Sequence, residues 1–202
     1  MKKSDTAPAD RILVVDDDVA VCNSLKAILA TYGFATSLMH SADELLQGLE
    51  QVKPSCILLD LRMPGMDGLA ALRILNSMPA VPPIIMMSAH GDIAAAVEAM
   101  RNGAVDFVEK PFDDEVLFEK ISAAITAGNK GNRVLQLFNG LSPREKEVAQ
   151  LVAKGYSTHA ISLQLGLSSR TVDHHRAKIL AKMEATSLPQ LISRLISIGV
   201  DR

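Results

Sequence analysis

Five short apolar, β-branched runs alternate with five segments of helical apolar spacing in the first 127 residues, and few folds accept that alternation. The runs are 11–15, 34–38, 55–59, 83–87 and 105–108, and the helical segments are 19–31, 42–51, 67–77, 93–102 and 113–127. A strand that returns through a helix to a second strand running the same way closes with a right-handed crossover. The alternation therefore predicts a five-stranded parallel sheet, doubly wound, with helices on both faces. Runs one, three and four are almost continuously apolar, as central strands buried on both sides should be. Ser41-Ala-Asp-Glu44 has the form of a capping box and marks the start of the second helix.

The alternation stops at Thr126-Ala-Gly-Asn-Lys-Gly-Asn132, where two glycines and two asparagines interrupt the pattern. Residues 128–140 read as a linker between a domain at 11–127, preceded by a tail at 1–10, and a second domain at 141–202. No strand signal follows the linker. Helices are predicted near 143–154, 158–165, 169–184 and 187–198, which makes the second domain small and all-α. Ser142-Pro-Arg-Glu145 joins a capping box to a proline at the first helical position, Ser157, Ser168 and Ser187 suit N-caps, and Gly155, Gly166 and Gly199 fall where helices should stop.

The formal net charge of −2 conceals a division. Residues 1–127 carry 10 Lys and Arg against 18 Asp and Glu, a balance of −8, whereas residues 128–202 carry 11 against 5, a balance of +6. An acidic part with clustered carboxylates suits a cation; a small basic part suits a phosphate backbone. Aromatic residues make up only 3% with no Trp, so the core must be aliphatic. Cys22 and Cys56 lack metal-ligand spacing and read as small buried hydrophobes. No apolar run approaches the roughly 20 residues a membrane helix needs. The first ten residues lack the apolar stretch of a signal peptide, and a cytoplasmic protein is expected.

In an open parallel sheet, functional groups collect at the carboxyl ends of strands, near the point where strand order reverses. Here those ends carry Asp16-Asp17-Asp18, Asp60, Ser88 and Lys110-Pro111. Carboxylates converging from two strands repel unless a hard cation such as Mg²⁺ offsets them, and Lys110 adds a second, movable positive charge. Such a place could receive a phosphoryl group on one carboxylate, with the Ser88 hydroxyl donating to a phosphoryl oxygen. Singly, Asp18 is most simply a helix N-cap, Ser88 a loop residue and Asp60 a turn former; their joint placement favours chemistry.

On Ile12-Leu-Val-Val-Asp-Asp-Asp18, Leu58-Leu-Asp-Leu-Arg-Met-Pro-Gly-Met-Asp-Gly68, Met87-Ser-Ala-His90 and Phe107-Val-Glu-Lys-Pro-Phe112, residues 11–127 resemble the receiver domain of a two-component response regulator. The resemblance implies a flavodoxin-like fold, Asp60 as phosphoacceptor, and Asp16 and Asp17 as an acidic pocket. It implies Mg²⁺ held by Asp17, Asp60 and the Arg62 carbonyl. Lys110 would sense the phosphate, Ser88 would be the switch hydroxyl, and Phe107 the aromatic that follows it. A cis Lys110-Pro111 bond is implied too. Arg62 and His90 occupy positions that in receivers govern how water reaches the aspartyl phosphate, and bulk there should slow hydrolysis.

In the basic part, helices near 158–165 and 169–184 joined by Gly166-Leu-Ser168 have helix-turn-helix spacing. The second is then a recognition helix that offers Ser169, Arg170, Thr171, Asp173, His174, His175, Arg176 and Lys178 to DNA. A solvated basic face is the plainer alternative, but the tight turn inside a +6 segment favours nucleic acid. Through Leu141-Ser-Pro-Arg-Glu-Lys-Glu-Val148, Gly155-Tyr-Ser157, Ile161, Thr171-Val172, His175 and Arg176, the segment resembles the LuxR/NarL-type DNA-binding domain. The order of the two domains looks most like the FixJ group. The resemblance implies a sensor histidine kinase and promoter DNA as partners, a homodimer on activation, and no enzymatic turnover beyond slow autodephosphorylation. The last helix, with Leu188, Leu191, Leu195 and Ile198, would serve dimerisation or the core of the monomer. Two rival readings remain at this point: a phosphorylation-independent regulator that uses the receiver as an interaction module, and a Mg²⁺-dependent phosphatase of the haloacid dehalogenase type. The second wants Thr or Val where Ala20 stands.

Overall fold

The computed structural model describes residues 10–78, 81–89 and 93–200. The chain divides into two compact units, one ending at Gly128 and one beginning at Asn129. In the first, strands β1 (Arg11–Val15), β2 (Ala35–Met39), β3 (Cys56–Asp60), β4 (Ile84–Ala89) and β5 (Asp106–Lys110) alternate with helices α1 (Val19–Thr31), α2 (Ala42–Val52), α3 (Gly68–Asn76), α4 (Ile93–Arg101) and α5 (Asp114–Asn139), the last of which begins in this unit and ends in the second. All strand pairs are parallel, in the order β2-β1-β3-β4-β5. Strand order therefore reverses between β1 and β3, and the crevice at their carboxyl ends is the expected place for a site.

The period of two along each strand sorts side chains between two cores. Leu13, Val15, Ile57, Leu59, Ile84 and Met86 pack with α2, α3 and α4. Their neighbours Ile12, Val14, Leu58, Ile85 and Met87 pack with α1 and α5. Both cysteines are buried and free, and burial pushes the Cys22 thiol up to about 11 and Cys56 to about 12, so both are inert packing groups. At α2 the capping box is only half built. Ser41 caps Glu44 N–H, but the Glu44 carboxylate accepts from His40 N–H, one residue further back.

The stretch 128–140 differs from its reading as a linker, because α5 runs through it as helix to Asn139. Glycine stops a helix when it takes a positive φ, and neither Gly128 nor Gly131 does so. Each costs the helix about 1 kcal/mol relative to alanine. Against that cost, Val134, Leu137 and Phe138 lie at helical spacing and pack into the core of the second unit.

That unit also holds α6 (Pro143–Ala153), α7 (Thr158–Leu165), α8 (Ser169–Lys182) and α9 (Leu188–Ser197). Ser142, Ser157, Ser168 and Ser187 cap them through side-chain oxygens, and the Ser142–Glu145 box is complete. Gly166 takes a φ of 63° between α7 and α8, a left-handed turn that residues with a Cβ adopt reluctantly. The α9 stripe is spent inside the unit. Leu191 and Leu195 are fully buried, with Leu188 and Ile198 packed beside them, so the core of the unit accounts for it.

Candidate functional site

β1 and β3 deliver Asp16 and Asp60 to the reversal point, and β5 brings Lys110 across to both. Lys110 Nζ donates to Asp16 Oδ2 and to Asp60 Oδ1, each at 2.5 Å. The carboxylates are otherwise held by backbone: Asp60 Oδ2 accepts from Arg62 N–H at 2.8 Å, and Asp16 Oδ1 from Asp18 N–H at 3.0 Å. Asp16 is 1% exposed and Asp60 6%. Burial pushes the Asp60 carboxyl above the usual carboxylate range, while the hydrogen bond and charge of Lys110 hold it back. Burial also works against charge on Lys110, but its bonds to Asp16 and Asp60 outweigh that and raise its pKa. Lys110 is therefore a firm ammonium, and its charge keeps a buried carboxylate pair tolerable.

Asp17, the third carboxylate of the expected pocket, is exposed, as a ligand that meets a water-clad cation from the solvent side can be. Asp16 beside it is buried. Among the described residues no group of three or more His, Cys, Asp or Glu side chains could hold a metal ion. The donor set is still compatible with Mg²⁺, which needs only one or two carboxylates with carbonyl and water oxygens, and Asp16 and Asp60 already converge on one cation. Asp18 is the N-cap of α1, accepting from Ala20 and Val21 N–H. Ser88 is buried at the end of β4, where its hydroxyl donates to the Ala89 carbonyl and not to the Asp–Lys cluster. Phe107 is half-buried against the α2–α4 core. The Lys110-Pro111 peptide is cis. Arg62 is exposed, and His90 lies outside the described residues.

Sequence reasoning missed Gly68. It opens α3 directly beneath the acceptor strand, and a Cβ there would meet the Asp60 carbonyl oxygen at 2.1 Å. Its N–H donates to the Leu61 carbonyl at 2.9 Å, locking the loop after Asp60. The glycine in the quoted motif was the available signal, because close backbone approach is a standard use of that residue.

In the second unit, α7 and α8 form the helix pair. Val172 and Ile179 are fully buried, whereas Ser169, Arg170, Asp173, His174, Ala177 and Lys178 are exposed. Thr171 is half-buried and its hydroxyl pairs with the Ser168 cap. His175 does not join the exposed row. It stands three residues after Val172 and four before Ile179, on the inner side of α8, and its Nδ1 is enclosed without a hydrogen-bond partner. Arg176 is half-buried and donates across to Thr158 at the start of α7, and Thr158 in turn bonds Asp173. Between α6 and α8, buried Glu145 accepts from Lys182 and from Ser142 N–H at 2.7 Å each, and these bonds pull its carboxyl down to about 2.

Comparisons with known proteins match both units. Residues 12–122 match the family described as response regulator receiver domain, and residues 139–195 match bacterial regulatory proteins of the luxR family. The transcriptional regulatory protein FixJ of Azorhizobium caulinodans is 39% identical over 194 residues, covering 93% of this chain and 92% of the relative. FixJ of Rhizobium meliloti is 39% identical over 193 residues, covering 92% and 95%. The crystal structure of full-length FixJ from B. japonicum has a TM-score of 0.57 at 36% identity, covering 96% of this chain and 98% of that one.

Proposed function

The chain belongs to the two-component response regulators that act as transcription factors through a LuxR-type DNA-binding domain, and on that footing we propose that Asp60 is the residue a sensor histidine kinase phosphorylates. The observation that carries this reading is the Lys110 ammonium set 2.5 Å from both Asp16 and Asp60 at the reversal point of the sheet. An Asp60 oxygen attacks the phosphorus of a phosphohistidine; the P–O bond forms as the P–N bond breaks, and the imidazole nitrogen keeps the bonding pair. Lys110 then leaves the carboxylate for a phosphoryl oxygen, because the larger charge is there. Ser88 turns from the Ala89 carbonyl to donate to the same group, and Phe107 follows into the space behind it.

Receiver domains generally use Mg²⁺ in this reaction. In this chain Asp16, Asp17, Asp60 and the Arg62 carbonyl would hold it, and it would offset charge on the phosphoryl oxygens. The family is not one of turnover enzymes. Slow hydrolysis of the aspartyl phosphate, impeded by Arg62 and His90, completes the cycle, and Arg62→Ala should shorten its lifetime.

Phosphorylation alters dimerisation, and the dimer sets two copies of α8 on promoter half-sites, where tethering raises effective concentration. Ser169, Arg170, Thr171, Asp173, His174, Arg176 and Lys178 supply phosphate and base contacts. Because promoter DNA has to be within reach, the proposed role calls for a cytoplasmic protein; among the described residues no helix is long and apolar enough to cross a membrane. Labelling with acetyl phosphate tests it: one phosphoryl group should appear on the wild type and none on Asp60→Asn. Undiminished labelling of that variant would remove Asp60 from the role.

A further inference from the structure

Resting on the reading of α8 as the recognition helix, we propose that Asp173 reads a cytosine of the DNA site and that Thr158, from the neighbouring helix, is the positioning residue that aims it. Asp173 and Arg176 are three residues apart on α8, and both reach the hydroxyl of Thr158, the first residue of α7. A guanidinium only donates and an ionised carboxylate only accepts, so the direction of the chain is settled. Arg176 donates to Thr158 Oγ1, and Thr158 donates to Asp173 Oδ1 at 3.1 Å.

The arrangement does two things. It keeps Arg176 and Asp173 from neutralising each other in a direct ion pair, leaving further guanidinium N–H groups for a phosphate. It also fixes the carboxylate through one oxygen while Oδ2, on an exposed residue, makes no hydrogen bond among the described residues. An exposed carboxylate in a unit of positive balance weakens attraction to any phosphate backbone, so its benefit must lie in discrimination. The amino groups of the major groove are cytosine N4 and adenine N6. Adenine is best read by a side chain that also donates to N7, which a carboxylate cannot do; cytosine N4 asks only for an acceptor.

Selection of duplexes from a randomised pool by the full-length protein treated with acetyl phosphate tests this, followed by binding to the selected site and its single-base changes. Wild type should prefer cytosine at one position of each half-site by roughly tenfold. Asp173→Asn should lose that preference with an unchanged salt slope. Thr158→Val should lose it at the same position, Thr158→Ser should restore it, and Thr158→Val added to Asp173→Asn should cost nothing more. A cytosine preference that survives both Asp173→Asn and Thr158→Val overturns the proposal but leaves the DNA-binding reading intact. A wild type that enriches no sequence overturns both.

Discussion

At the scale of single residues, the site is an arrangement of charge in a place with little water. Asp16 and Asp60 share one ammonium, so two buried carboxylates and a lysine keep a net charge of about −1 that a further cation would offset. Gly68 sets the position of this cluster from below. Gly68→Ala puts a methyl group 2.1 Å from the Asp60 carbonyl oxygen, so the strand end must shift. Displacements near 1 Å can cost on the order of 100-fold in a positioned reaction. Acetyl-phosphate labelling of Gly68→Ala should fall by about that factor, while Gly131→Ala, which meets nothing within 4 Å, labels at the wild-type rate. Labelling of Gly68→Ala at the wild-type rate would show that the acceptor tolerates the shift. The identities of Asp16, Asp60 and Lys110 were legible in the sequence because strand ends in a parallel sheet must meet. The exposure of Asp17 was not legible, because neighbours in sequence just past a strand end can differ fully in burial.

At the scale of elements, local signals were read well where they are local. Every serine expected to cap a helix of the second unit does so, because a cap involves three or four consecutive residues. The continuation of α5 was hidden because its support, from Val134, Leu137 and Phe138, comes from residues far along the chain. Gly131→Ala should therefore stabilise that helix by roughly 0.5–1 kcal/mol, measured as a higher urea midpoint for the second unit. A lowered midpoint would mean that the segment is not helical in solution. Glu145 ties α6 to α8 by the same kind of long-range contact. Its carboxyl is ordinarily at 4.5 and is held at about 2 in the fold, so it binds fewer protons folded than unfolded. The stability it contributes is present above about pH 4.5 and is lost as pH falls toward 2. Glu145→Gln should cost about 1–3 kcal/mol at neutral pH and remove that acid dependence. Amide exchange in α6 and α8 measures both, and an unchanged acid profile would contradict the assignment.

At the scale of the whole molecule, the opposite charge balances of the two parts correspond to two tasks on one chain. On the proposed reading, the acidic part holds the phosphoryl-accepting cluster and the basic part faces DNA. Arg176→Ala should weaken binding to every sequence alike and flatten the dependence of log affinity on log salt by about 0.9, one phosphate contact. A loss confined to discrimination among sequences would move Arg176 to base reading. The parallel, doubly wound sheet and the pairing of α7 with α8 were legible in the alternation and the turn. The Thr158 relay was not, because it joins residues 15 and 18 positions apart through side chains alone. On the proposed reading, charge added at Asp60 changes what α8 can hold. DNA affinity and solution mass, measured with and without acetyl phosphate and compared with Asp60→Asn, test it most directly. When phosphorylated, the protein should be a dimer that binds roughly 5- to 150-fold more tightly, and Asp60→Asn should not respond. Equal affinity and equal mass in all three states would contradict it.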